Sequence, residues 1–438
     1  MRIFLFIISY LTLINCSFDT KSGIWKNPNY QTDNIDPLKE FETVISTKNQ
    51  FAEKININEN FRFNLPNQIP GLNWNEIFYN RNNNLDNFKF FGENKLKFKS
   101  KKLTKFKASK NIFYSNGNVI LSDLRGNIIV FSIKYNKTVN NFNFYKKKFK
   151  NTNIQLNLII EGDIIYVTDN IGYLYAYNIK KNKIIWAKNH KIPFRSNLKI
   201  LKNELIAADQ NNNLYHFDKN NGDTMSAIPT EESVIKNLFV NNLSVANDNI
   251  IYLNTFGSIY MIINNKISWF LNLNRSTDLN PSNLFLGSPV VNLNDKIIVS
   301  SSDSLYVLNA FNGSIIHKKN FSSSIRPIIL NDYLFLLTRN NFLISMELQT
   351  GKILYSYDLN EKIAAYLNSK KKKAEFKSFY VAGNKIYVFL KNSYYLKLDI
   401  SGKIEKINKL PSDIFTDPIF INDTIFYLNK KNNLLIVN

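Results

Sequence analysis

Cysteine is nearly absent: Cys16 is the single one in 438 residues. That excludes an intrachain disulfide and any cluster of thiolate metal ligands. Histidine is almost as scarce, and His190, His216 and His317 stand too far apart for ligand spacing, so no metal site of the His/Cys kind is expected. The 14 Gly and 11 Pro are too few for a collagen-like or Gly/Pro-rich chain. Acids are in deficit, 34 Asp+Glu against 56 Lys+Arg, which leaves a net charge of +22. No apolar run reaches the ~20 residues that a membrane-spanning helix needs. Also absent are the short motifs of common catalytic sites: a GxSxG elbow, a phosphate-binding P-loop, GxGxxG and HExxH.

What is present is core-forming material. Hydrophobic residues make up 44% of the chain, with 34 Phe and 23 Tyr, so it can bury one large core or two ordinary ones. The positive balance could serve nucleic acid or an anionic membrane surface. The lysines are spread along the chain, however, with short runs only at Lys146–Lys148 and Lys370–Lys373, and they accompany 70 Asn. This reads as a compositional bias carried on a solvated surface. Most aromatics alternate inward on strands rather than interleaving with basic residues on an exposed face, so no nucleic-acid partner is expected.

The N-terminus reads as an address. Arg2 is followed by the apolar run Ile3–Ile14 and then Leu13-Ile14-Asn15-Cys16. A run of that length is too short to span a bilayer and suits the hydrophobic region of a signal peptide, expected over residues 1–15. The sequence before Cys16 resembles a bacterial lipobox, although Asn15 departs from the small residue usual there. Cys16 is the expected lipidation site, and two or more acyl chains make an anchor stable. Ser17 rather than Asp after the Cys suggests delivery to the outer membrane. Residues 16–60 are polar and weakly patterned and are expected to form a tether.

From Gly117 onward the chain repeats itself. Units open near positions 117, 162, 202, 248, 294, 331, 383 and 422, a spacing of about 44 residues. Each begins with a Gly/Asn/Asp turn, followed by a strand, a second polar turn and a second strand, as in GDIIYVTDNIGYLYAYNI from Gly162. Several copies add a third strand, and short apolar stretches such as Pro289–Leu293 and Pro327–Leu330 lead into the next. Four short strands at this period predict an all-β fold: an eight-bladed β-propeller of four-stranded antiparallel blades over residues 61–438. Seven blades remain open if one copy is degenerate. The last copy ends a strand short at Asn438, so Lys95–Lys101 is the expected closing strand and joins both chain ends in one blade. No amphipathic helix of convincing length is expected. Phe61–Asn87 is expected to pack along the ring.

Within the repeats, Trp186, Trp269, His317 and Tyr355 share one position. A position that accepts all three residue types is read as an inter-blade packing site. Glu231-Glu232 could be imagined as paired acids for hydrolysis, but adjacent carboxylates on an extended chain point to opposite sides, and a connecting loop is expected there. No catalytic residue and no metal ligand is expected.

The segments LYAYNIKKNKIIW (Leu174–Trp186), LYVLNAFNGSIIH (Leu305–His317) and LISMELQTGKILY (Leu343–Tyr355) resemble the pyrroloquinoline-quinone-type propeller repeat. With the lipobox, the polar tether, the segment containing Leu65, Pro66 and Trp74, and termination inside the last blade, the chain resembles BamB-type lipoproteins of the outer-membrane β-barrel assembly machine. The resemblance implies a scaffold without catalytic centre or cofactor, lipid-anchored at the periplasmic face of the outer membrane. Its partners would be the POTRA domains of the barrel-assembly protein and the other lipoproteins of the complex, with the chain monomeric within that complex. Contact would run through inter-blade loops of one face. The acidic pair expected of that family before the fifth blade is missing from Pro281–Gly287, so the surface carries over and not the residues. Arg195 and Arg326, both in inter-blade loops, are the candidate partner-binding residues, because a guanidinium pairs bidentately with carboxylates. The alternatives are a quinone-dependent periplasmic dehydrogenase, which would bring acidic and aromatic side chains to the axial funnel, and a ligand-binding propeller.

Overall fold

The computed structural model describes residues 51–145, 149, 152–232, 239–273 and 285–438, together with two two-residue strands near the N-terminus. These short strands, Ser17–Phe18 and Trp25–Lys26, pair antiparallel. The signal run and Cys16 lie outside the described residues. The main compact unit begins at Phe51.

Eight four-stranded antiparallel sheets follow one another along this unit. Blades I to VII span Ala108–Asn143, Leu156–Asn189, Lys199–Ile228, Asn242–Asn272, Val291–Lys319, Ile328–Asp358 and Phe376–Lys409. Blade VIII takes three strands from Ile419–Val437, and its fourth is Leu96–Lys102, which pairs with Asn433–Val437. The closing strand is therefore the one expected, displaced by one residue. In each blade strands A to D run in sequence order, or their equivalent in VIII. Strand D is the outer edge, as the mostly exposed side chains of Lys183–Asn189 illustrate. An up-and-down meander puts the A–B and C–D turns on one face of the ring and the B–C turns and inter-blade loops on the other.

The shared aromatic position is an inter-blade fastener. Trp186 Nε1 donates to the Lys219 carbonyl at 3.0 Å and Trp269 Nε1 to that of Ala310 at 3.0 Å. His317 Nε2 reaches the Leu348 carbonyl at 3.1 Å, and the Tyr355 hydroxyl reaches that of Ile400 at 3.1 Å. Each acceptor lies in the C–D turn of the next blade. Blade I uses Asn140 for the same bond, to the Ile179 carbonyl at 3.2 Å. A glycine completes the dock: Gly313 has φ +70°, and a Cβ there would stand 2.6 Å from the Trp269 ring. Both facts require glycine.

Among the described residues there is one helix, Leu359–Tyr366, of eight residues. It forms the loop between blades VI and VII, where no repeat pattern reaches, and the Asp358 carboxylate caps it by accepting from the N–H groups of Asn360 and Glu361.

The segment before the closing strand does more than lie along the ring. It visits the A strand of every blade in turn, at the A–B-turn end of the axis. The Gly71 carbonyl accepts from Asn422 N–H of blade VIII at 3.1 Å, and Trp74 pairs with Tyr114 of blade I in both directions. The Asn75 carbonyl accepts from Ile160 N–H of blade II at 3.0 Å. Glu76 forms an ion pair with Lys199 of blade III, whose Nζ also donates to the Asn80 carbonyl at 2.8 Å. The Arg81 and Asn82 carbonyls accept from Val245 of blade IV at 2.9 Å and Asn292 of blade V at 3.1 Å. The Asn84 amide brackets Ile329 of blade VI, donating to its carbonyl at 2.8 Å and accepting from its N–H at 2.9 Å. Phe88 pairs with Val381 and Gly383 of blade VII. Residues 71–88 thus make a plug that joins all eight blades and covers polar backbone edges that would otherwise face the channel.

Candidate docking face and axial funnel

The loop face is shaped by one recurrent device. A polar side chain at the end of strand B accepts from the backbone of the B–C turn. Asp169 Oδ1 takes the N–H groups of Ile171, Gly172 and Tyr173 at 2.7–2.8 Å. Asn254 Oδ1 does the same for Phe256, Gly257 and Ser258 at 3.0–3.1 Å. These side chains satisfy the turn internally, which leaves the turn tips fixed in shape.

Across blades III to V this face presents three exposed apolar side chains. Val240 and Leu286, in the loops leading into blades IV and V, are 46% and 39% exposed, and Phe256 of the blade IV B–C turn is 36% exposed. Beneath them Phe239 and Phe285 meet edge to face with centroids 5.1 Å apart. The Asn241 side chain accepts from Thr255 N–H at 3.0 Å, which ties the first loop to the B–C turn. Arg195 donates from Nη2 to the Phe239 carbonyl at 3.2 Å and so braces the residue that precedes Val240. It is partly buried, and burial lowers its pKa.

Glu231 lies in the loop after blade III, as expected of Glu231-Glu232. Its carboxylate accepts from Ser258 at 2.9 Å, Asn254 at 3.0 Å and the Tyr260 hydroxyl. Burial alone would raise this carboxyl, but those hydrogen bonds outweigh it and hold the pKa below the ordinary value. Glu231 is a strut for the loop and not half of an acid pair. The histidines are also packed within the blades: His190 stacks on Phe194 at 4.9 Å, and His216 Nδ1 lies 2.7 Å from Glu204.

Arg326 sits elsewhere. It precedes the A strand of blade VI, and its Nη1 donates to two plug carbonyls, Phe78 at 2.5 Å and Asn83 at 3.0 Å. Its guanidinium lies over the Phe78 ring, 5.5 Å from the centroid. The two arginines are therefore not one patch. Arg195 belongs to the loop face and Arg326 to the axis, where it lines a cavity of about 180 Å³ floored by Trp74, Ile77 and Phe78 of the plug. The plug was legible as a segment that packs on the ring, but its contact with this arginine had no sequence signal.

The ionisable side chains lining the cavity, Tyr380 apart, are Arg326, Lys377 and Asp417, and the last two pair at 3.3 Å. Among the described residues no three His, Cys, Asp or Glu side chains gather where a metal could sit. The acidic cluster that a calcium-bound quinone would require is therefore not supplied by the described residues.

Residues 152–353 match the family model described as "Outer membrane protein assembly factor BamB". An uncharacterised protein of Rickettsia conorii is 24% identical over 286 residues, 62% of this chain and 67% of that protein. A second uncharacterised protein, of Rickettsia prowazekii, is 24% identical over 285 residues with the same coverage. Among solved structures, BamB from Moraxella catarrhalis superposes with a TM-score of 0.62 at 13% identity, covering 77% of this chain and 99% of that one. Quinohemoprotein alcohol dehydrogenase from Comamonas testosteroni gives 0.60 at 8% identity, covering 83% and 80%. At such identities the structural likenesses speak for the fold alone. Fold, repeat and family model together make the chain similar to the pyrroloquinoline-quinone-like β-propellers, with repeats like those of BamB.

Proposed function

We propose that this protein is a non-catalytic scaffold of outer-membrane β-barrel assembly, lipid-anchored through Cys16 at the periplasmic face of the outer membrane. It docks the periplasmic domains of a barrel-assembly protein on its loop face, and it works as one copy within a complex that includes other lipoproteins. The observation that carries this reading is the exposure of Val240, Phe256 and Leu286 on successive loops of one face, all within the matched segment 152–353. Fixed turns beneath solvent-exposed apolar side chains lower the ordering cost of association. Exposed apolar side chains set among polar loop residues suit the centre of a docking surface. Arg195 stands at its edge, where a guanidinium can add a charged contact with an acidic partner.

The test is affinity purification of the full-length protein from native membranes, with mass spectrometry of the bound proteins and an absorption spectrum of the same sample. Recovery of a large barrel protein with periplasmic repeat domains is expected, and the paired substitution Val240→Asp and Leu286→Asp should abolish it while leaving the thermal melt unchanged. Arg195→Glu should weaken it. Cys16→Ser should release the protein from the membrane fraction. A quinone band without such a partner, or undiminished recovery with the Asp pair, would overturn the reading.

A further inference from the structure

We propose that the axial funnel is a binding site for a small organic carboxylate, held by the guanidinium of Arg326 against apolar walls. No catalytic step is implied, and the proposal stands apart from the docking reading, since it concerns the axis and not the loop tips.

Three observations carry it. First, Arg326 has more donors than partners. A guanidinium offers five N–H groups in a fixed fork, yet the hydrogen bonds it makes both leave from Nη1, to the Phe78 and Asn83 carbonyls. Among the described residues Nε and Nη2 meet no acceptor, and no carboxylate forms an ion pair with this arginine. Burial lowers its pKa to about 10, so it still carries its charge at neutral pH. Second, its surroundings do not neutralise it. Asp417 also lines the cavity but is matched by Lys377 at 3.3 Å, which leaves one net positive charge. Tyr380 is spent on the Pro418 carbonyl at 2.6 Å.

Third, the remaining walls are mostly apolar, with Asn111, Ser324 and Ser378 as their polar members, and so favour one chemical class. Trp74, Phe78, Ile112, Ile325 and Phe379 face a space of about 180 Å³, comparable to the ~150 Å³ cavity that holds one benzene. A ligand must therefore combine one anionic group with a compact apolar body. A bidentate carboxylate answers the open side of the guanidinium fork, and a ring or short branched chain answers the walls. A fully hydrated inorganic anion would satisfy only the charge. The plug supplies the floor and also holds Nη1, so the free side of the fork is set by the same contacts that seal the ring. Ser324, which is exposed, also lines the cavity.

The experiment is a saturation-transfer NMR titration of the full-length protein with benzoate, with benzyl alcohol as its neutral counterpart and inorganic phosphate as the apolar-free anion. Saturable benzoate binding below about 10 mM is expected, at least about tenfold tighter than either comparison ligand. Arg326→Gln should weaken it by about tenfold or more. That substitution also removes bonds to the plug, so Ile325→Trp, which fills the cavity and leaves the guanidinium in place, is the second arm and should abolish binding. Equal affinity for benzyl alcohol would overturn the role of Arg326. Phosphate binding as tightly as benzoate would overturn the role of the apolar walls. No saturation in the native protein, or binding unchanged by Ile325→Trp, would overturn the site itself.

Discussion

The two ends of the propeller axis are built on opposite principles. At the A–B-turn end, residues 71–88 answer the inner edge of each blade in sequence, and even the deeply buried Lys199 finds both a carboxylate and a carbonyl. At the loop end, apolar side chains at Val240, Phe256 and Leu286 stay in solvent, and Arg326 keeps part of its fork unused. One end spends most of its bonding capacity on closing the ring, with only buried side-chain oxygens such as those of Asn75, Asn80 and Asn83 left over, and the other keeps exposed groups that a partner can reach. Recognition is expected where capacity remains, so damage at the sealed end should appear as lost stability and damage at the open end as lost binding.

The largest effect should come from opening the seal. Removing Asn433–Asn438 deletes one partner of the closing blade, and removing everything before Ala108 deletes the other together with the plug; either exposes strand edges on its neighbour. Either truncation should eliminate the cooperative unfolding transition measured by circular dichroism in urea. A soluble, cooperative truncate would show that the ring does not depend on its closing strand. Next comes the buried ion pair. Lys199→Met strands Glu76 near the axis, and breaking one side of such a pair costs about 3–5 kcal/mol. Making Glu76→Met as well should recover much of that loss, because paired buried charges have little net advantage over apolar groups of similar size. A double variant no more stable than the single one would mean that Glu76 acts through other bonds. Neither change should alter binding at the loop face.

The contrast also explains what the sequence reveals. Blades are repeated, so their turns, strand alternation and shared Trp/His/Tyr position recur and can be read by self-comparison, as can the closing strand left by a last copy that ends at Asn438. The plug occurs once. Its fit depends on meeting eight different strands over roughly eighteen residues, and Asn82, Asn83 and Asn84 look no different from the many asparagines of the surface. The helix Leu359–Tyr366 is likewise a single insertion within a loop. Arg326 is the sharpest case: its sequence position just before strand A fits an inter-blade loop, but whether its side chain points outward or along the axis depends on Phe78, almost 250 residues away.

Between the two ends lie the fasteners of the outer ring, which should give intermediate losses. Trp269→Ala removes the Ala310 bond and the packing on Gly313 and should cost about 3 kcal/mol in urea unfolding. Trp269→His should recover part of it, because His317 already performs the same task one blade later. If Trp269→His is no better than Ala, the shared position is a coincidence of spacing and not a common dock.

The smallest effect should appear at the open end, in acid. The Glu231 carboxyl has a folded pKa held below the ordinary value by Tyr260, Ser258 and Asn254, against the opposing pull of burial. A depressed carboxylate pKa contributes stability that is present above the unfolded value near 4.5 and is lost as pH falls through the folded one. Glu231 joins the loop after blade III to strands and turns of blade IV, so its protonation should loosen that loop without melting the ring. Hydrogen exchange of Phe256 and Ser258, whose amides are held by Asn254 beside this carboxylate, should accelerate relative to the blade cores as pH is lowered through that window, after correction for intrinsic exchange. Glu231→Gln should remove the pH dependence. If exchange in the native protein follows the same pH course at Phe256 as in the core of blade VII, Glu231 does not hold the loop, and the fixed shape of the docking face must come from the Asn254 and Asn241 turns alone.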